Sequence, residues 1–341
     1  MSIAISGSTI TFADLTTQTT APVSGVSFKN RIINGNFSVW QRGTSIADST
    51  TTSNFYTADR WGFNRGADVA GTTVSRQASG LTGYQYALSW QRTAGNSNTA
   101  TMALWNSNES ANTFDLAGQV VTLSFWAKTG ANYSGGPLTV NIRSGTGIDQ
   151  RVYQYTGYND FATTTFTLSP TWTIYSITGT VPTSATELGS FMQWTPTGTA
   201  GADDSVYITG VQLEKGGSAS DFEFRPIGTE LALCYRYLPF FTLSNTTIGV
   251  IGQATSTSIA YYTLPFQTTA RTSPTGITLT TGSLRAFTST FANAGGTGAF
   301  NSAQTTQGQI LVTGATGLVA GNATYLNPSA STTILWTGCE L

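Results

Sequence analysis

The sequence predicts an all-β protein of 341 residues: a jelly-roll-like β-sandwich followed by a smaller C-terminal β-sandwich, with a short extended N-terminal arm. Three observations predict it. β-Branched Thr supplies 62 residues and aromatics 12%, both suited to pleated strands, and 37 Gly serve the turns between them. Ala, Leu, Glu and Lys never cluster as a long helix requires. Apolar residues recur with period two in short runs separated by turn-rich pieces.

Residues 1–28 form the arm. Ile3/Ile5 and Ile10/Phe12 alternate as very short strands, and the run Thr16-Thr17-Gln18-Thr19-Thr20 follows. A segment this short encloses no core, so it is expected to pack on something else. Residues 29–226 carry the runs Val121/Leu123/Phe125, Leu138/Val140/Ile142, Phe166/Leu168, Tyr175/Ile177 and Val211/Leu213. They imply a sandwich of eight or more strands. Seven of the eight tryptophans lie here, mostly as core, with room for one or two to form an exposed stacking platform. In Asn34-Gly35-Asn36 we read a tight turn that sends Phe37 and Val39 inward. Asp59-Arg60-Trp61 reads as a partly buried ion pair with Arg60 over an aromatic ring, a sugar or calcium contact through Asp59 being the alternative, and Glu214 as a partner of Lys215 or Arg225. Residues 227–341 open with a short helix at Glu230–Cys234, capped by Thr229, and continue as strands. Their near absence of charge fits a surface buried between subunits.

Missing residues narrow the chemistry. The chain has no His, which removes the Ser-His-Asp triad, Cys-His pairs and His-dependent metal sites. Its three lysines, Lys29, Lys128 and Lys215, complete neither a phosphate loop nor a serine-lysine nucleophile. Net charge is −1, so a basic field for nucleic acid is absent. No apolar run reaches membrane-span length, the opening residues lack signal-peptide character, and synthesis in a cytoplasm is expected. Cys234 and Cys339 read as buried thiols without a disulfide. No cofactor is expected. The densest acidic stretch, Asp203-Asp204, Glu214, Asp221 and Glu223, leaves solvated turns, a calcium site and a catalytic pair open, although no motif orders it for calcium.

The stretches Asn30-Arg31-Ile32-Ile33-Asn34-Gly35-Asn36-Phe37-Ser38-Val39-Trp40-Gln41-Arg42-Gly43 and Tyr56-Thr57-Ala58-Asp59-Arg60-Trp61 resemble the opening of carbohydrate-binding-module-like sandwiches in tailed-phage fibre and appendage proteins. The stretches Tyr207–Gly216, Phe222–Pro226 and Glu230–Tyr237 resemble their exit, and Thr9–Thr20 resembles a phrase near the start of tail-fibre modules. The resemblance implies a non-enzymatic virion component, a tail fibre or related appendage. It would be a homo-oligomer, most simply a trimer, attached to other virion proteins through residues 1–28 and able to present the sandwich to a host-surface glycan. A head fibre or decoration protein, and a glycan depolymerase using acids such as Asp203 and Asp221, remain alternatives. For sugar stacking, the Gly/Asn-rich loops around Tyr133 and around Tyr155, Tyr158 and Asn159 offer exposed rings beside polar groups. These four residues are the expected ligand-binding set.

Overall fold

The computed structural model describes residues 28–48, 54–66, 71–245 and 250–341, together with the strand residues 10–11 and 17–18. In the arm, β1 (Ile10–Thr11) pairs antiparallel with β2 (Thr17–Gln18). The expected Ile3/Ile5 strand and the remaining contacts of the arm lie outside the described residues.

Strands β3 (Ser45–Ala47), β4 (Asn54–Tyr56), β5 (Gly62–Arg65), β6 (Thr72–Ala78), β7 (Tyr86–Arg92), β8 (Met102–Ser107), β9 (Val120–Thr129), β10 (Leu138–Gly145), β11 (Asn159–Phe166), β12 (Thr173–Thr180), β13 (Glu187–Trp194) and β14 (Asp204–Lys215) build the sandwich. The front sheet has the order β12-β9-β14-β7-β6-β3 and the back sheet β11-β10-β13-β8-β5-β4. Alternation along the strands explains the layering. On β9, Val121, Leu123 and Phe125 are fully buried between the sheets, so Trp126 falls on the outer face. Phe63 and Trp90 meet edge to face at 6.3 Å, as do Trp90 and Trp194 at 6.2 Å, filling the space between the layers. The turn at Asn34 delivers Phe37 and Val39 to the core as expected. Its side chain fixes that turn by donating to the Val39 and Asp59 carbonyls and accepting from the Val39 N–H.

Few charges exist, and several are spent inside. Arg92 and Asp204 are fully buried and 2.8 Å apart, and Arg65 pairs with Asp48 at 3.1 Å. Two expected pairings are corrected. Arg60 bonds Glu340 rather than Asp59, at 2.8 Å, and its guanidinium lies 3.6 Å from the Tyr237 ring centre. Asp59 instead accepts from Gln41. Glu214 takes hydrogen bonds from Gln212 and Ser220, while Arg225 pairs with Glu223 and Glu230.

Helix α1 (Ile227–Tyr235) follows, and its cap differs from the expectation. Pro226 holds the N-cap position, and its carbonyl accepts from the Thr229 and Glu230 amides, which places Thr229 inside the first turn. Beyond it run β15 (Phe240–Leu243), β16 (Val250–Ala254), β17 (Ile259–Pro265), β18 (Gly276–Leu279), β19 (Leu284–Phe287), β20 (Asn293–Ala303), β21 (Gln307–Ala315), β22 (Ala323–Pro328) and β23 (Thr332–Thr337). The region is all-β as predicted. Its layers are a closed barrel, β16-β17-β21-β20-β19-β22, against a three-stranded sheet, β15-β23-β18. Trp336 links the two layers, and Gly308 leaves the space its ring needs, because a Cβ there would lie 2.2 Å from it.

Residues 339–341 return to the sandwich. Glu340 sits between Arg42 at 2.9 Å and Arg60 at 2.8 Å, and Arg271 donates to the Cys339 and Glu340 carbonyls. Tyr56 and Arg151 donate to the backbone oxygen of Leu341. A parallel tie joins Glu109 to Arg236 and Tyr237. Burial alone would raise the Glu109 carboxyl, but those hydrogen bonds outweigh it and hold the group below its ordinary range. Removing one member of a buried pair leaves the other charge uncompensated. Glu340→Ala is therefore expected to cost about 3 kcal/mol, read as an earlier urea midpoint. An unchanged midpoint would show that the clamp contributes nothing.

Candidate functional site

The front sheet's outer face divides in two. Over one half, residues 216–224 form a cover. Ser220 bonds Glu214, the Glu223 amide donates to Gln212 at 2.8 Å, and Phe222 and Phe224 pack on Tyr84 at 5.6 and 5.1 Å. Gly210, at φ +61°, makes room for Tyr84, since a Cβ would lie 2.7 Å from that ring.

The other half is an aromatic surface held by strands. Register places Lys128 of β9 opposite Tyr207 of β14, and Trp126 between Thr209 and the exposed Ile174. Trp172 closes the edge, its indole N–H donating to the Ser79 carbonyl at 2.9 Å. The Lys128 ammonium lies 5.3 Å from the Trp172 ring centre and 5.0 Å from that of Tyr207. Among the described residues Lys128 makes no salt bridge, and its charge acts on the Asp203 carboxyl. Asp203 accepts from the Tyr207 hydroxyl at 3.1 Å, from Ser205 at 2.5 Å and from the Ala131 amide at 3.0 Å. Burial pushes its carboxyl up, but these donors and the Lys128 charge prevail and lower it. The Tyr207 hydroxyl is raised, chiefly by burial. Two indoles, a phenol, an ammonium and an ionised carboxylate thus share one rigid surface. Such a set has the chemistry to stack an apolar ring face and to hydrogen-bond hydroxyls.

The four sequence-predicted residues are not brought together. Tyr133 and Tyr158 flank opposite ends of β10, about 20 Å apart at ~3.3 Å per residue. Tyr133 is half-buried against Trp194 at 4.9 Å, and its hydroxyl donates to Gly136. Its loop nonetheless adjoins the front surface, because Ala131 and Asn132 bond Asp203. Tyr155, expected as an exposed ring, is corrected: it is only 4% exposed and packs with Trp105, Val152 and Phe191 over the back sheet. The turn at Val152–Gln154 folds it there, and burial drives its hydroxyl far up. Tyr158 is 63% exposed with Arg143 over its ring at 4.6 Å, and Arg143 in turn holds Asp160. Asn159 is exposed beside it, at the start of β11.

Asp203 and Asp221 are likewise apart. Asp203 precedes β14, whereas the Asp221 carbonyl accepts from Gln212, roughly 25 Å along that strand at ~3.3 Å per residue. Paired-acid glycoside cleavage needs roughly 5–9.5 Å. Among the described residues no three His, Cys, Asp or Glu side chains gather as a metal site, and no helix is long and apolar enough to cross a membrane.

No family model and no curated protein matches the chain. Solved structures similar to it include the enzymatically active domain of tailspike protein 4 from bacteriophage CBA120, 17% identical over 55% of this chain and 22% of that one, with a TM-score of 0.34. A family 22 xylan-binding domain from Paenibacillus barcinonensis is 13% identical over 51% of this chain and 95% of its own length, with a TM-score of 0.32. A family 61 carbohydrate-binding module solved with β-1,4-galactotriose is 13% identical over 55% and 99%, with a TM-score of 0.31. The chain thus spans about a fifth of the tailspike domain and nearly all of the two modules. Likeness at this level leaves the binding question to the chain's own residues.

The lowered Asp203 carboxyl has a testable sign. A group with a depressed folded pKa adds stability that is full above its unfolded value, about 3.9, and is lost as pH falls through the folded one. The stability difference between wild type and Asp203→Asn is expected to be constant above about pH 5 and to shrink in more acid solution. A difference that grows on acidification would contradict the assignment.

Proposed function

We propose that this chain is a non-catalytic glycan-binding component of a tailed-phage appendage, taking sugar rings on Trp126, Trp172 and Tyr207. One observation carries the binding site: Lys128 is held between the Tyr207 ring of β14 and the Trp172 ring, itself fixed by its bond to Ser79, with an ionised Asp203 beside them. The rings bury the apolar face of a pyranose, Lys128 donates to its hydroxyls, and Asp203 accepts from them. The appendage setting rests on the fibre-like motifs of residues 9–20, 30–43, 56–61, 207–216, 222–226 and 230–237, and so do the virion location, the attachment through residues 1–28 and the trimer. Light scattering is expected to give a mass near three chains of 35.9 kDa, and a monomer mass would contradict the trimer.

A glycan array of bacterial surface polysaccharides tests the site. Trp172→Ala and Lys128→Ala are each expected to weaken retention about tenfold, or about 1.4 kcal/mol, in folded protein. Retention unchanged in both, or lost only in Tyr158→Ala, would place the sugar elsewhere. Shortening of the polysaccharide during incubation would contradict the non-catalytic reading.

A further inference from the structure

The barrel carries an aromatic surface that the reading above leaves unused. Strands β16, β22 and β19 run side by side, and their register sets Ile251, Tyr325 and Phe287 in one row on the outer wall. The alternate residues Leu284, Ala286 and Leu326 fill the interior, so this row faces outward. Ile251 is 66% exposed. Phe291, from the turn between β19 and β20, stacks on Tyr325 with ring centres 4.4 Å apart and planes at 19°, yet stays 51% exposed. Its φ is +61°, a conformation that favours glycine. The hydrogen-bonded turn at Thr288–Ala292 sets this φ, and the position holds an exposed aromatic ring where glycine would sit without strain.

The next row supplies polar groups. Arg285 lies opposite Asn327, and Arg285 Nε and Asn327 Oδ1 are both buried without a hydrogen-bond partner among the described residues. The Arg285 guanidinium lies 5.9 Å from the Phe287 ring centre. Between Glu230 and Glu340 the sequence has no acid and three arginines. Arg236 and Arg271 reach across to Glu109 and Asp149 of the sandwich, and Arg285 is the one left without an ion pair among the described residues.

We propose that Phe291, Tyr325, Arg285 and Asn327 form a second saccharide site, selective for a sugar that bears a carboxylate. The ring stacks on the Phe291–Tyr325 pair, the carboxylate pairs with Arg285, and the Asn327 amide donates to a hydroxyl. The charge supplies the selectivity, because the barrel holds an arginine with no acid of its own to answer it.

Trigalacturonate and neutral galactotriose, which differ at the carboxylate, test this by calorimetric titration of the full chain carrying Trp172→Ala and Lys128→Ala, which weaken the front surface and remove its cation. Trigalacturonate is expected to bind at least tenfold more tightly than galactotriose. Arg285→Gln, added to that chain, is expected to weaken trigalacturonate binding about tenfold. Phe291→Gly removes the ring while relieving the positive φ, so it keeps the fold and is expected to lose binding similarly. Equal affinity for the two sugars, no binding of trigalacturonate, or unaltered binding in both variants overturns the proposal. So does a change of oligomeric mass in Phe291→Gly, which would make the patch a contact between copies.

Discussion

Glu340 is the constraint on which the arrangement of the two regions depends. It places one carboxylate between Arg42 and Arg60, and Arg60 is nearly buried beneath it, over Tyr237. Burying such charges costs several kcal/mol each unless they are paired and hydrogen-bonded, so the arginines and the glutamate hold one another in place. The chain has few charges to spend, and it concentrates them at this junction: Glu109 with Arg236, Asp149 with Arg271, and Glu340 with two arginines. Burial and the neighbouring glutamate push the Tyr237 hydroxyl up to about 12, so it stays protonated and donates to Glu109.

That junction helps to decide which surfaces remain open. Residues 339–341 meet Tyr56 and Arg151 at the edge of the back sheet's outer face, where Trp105, Tyr155 and Phe191 form a second apolar cluster. Half of the front face is sealed by residues 216–224. The remaining half is the aromatic surface around Lys128: Trp126, Lys128 and Tyr207 belong to strands with a neighbour on each side, and Trp172, just before β12, is held by its bond to the Ser79 carbonyl. Rigid placement suits recognition of a polyhydroxylated ligand, because little side-chain freedom is lost on binding.

Much of the fold was legible because alternation is a local property. The parity that buries Val121, Leu123 and Phe125 also sends Trp126 and Lys128 to the opposite face, so these two site residues were readable from the same run. Trp172 was not, since it stands in the turn before β12, where parity no longer fixes direction. Tyr155 misled for a related reason: its Gly- and Asn-rich surroundings look like an exposed tip, but a single helical turn folds it back over the sheet. The Arg60–Glu340 pair spans 280 residues, and no local pattern announces a partner so distant. Asp59, adjacent in sequence, was the natural but mistaken choice. Closure of the C-terminal strands into a barrel depends on which edges meet, and alternation alone carries no such information.

Whether a sugar seats on the front surface is open to direct observation. The most direct measurement is a set of intermolecular NMR contacts between the full chain and the tightest-binding oligosaccharide found on the array. Contacts are expected from sugar ring protons to the Trp126 and Trp172 indoles and to the Tyr207 ring. Contacts confined to Tyr158 and its Arg143 neighbour, with the indoles untouched, would contradict the proposed site.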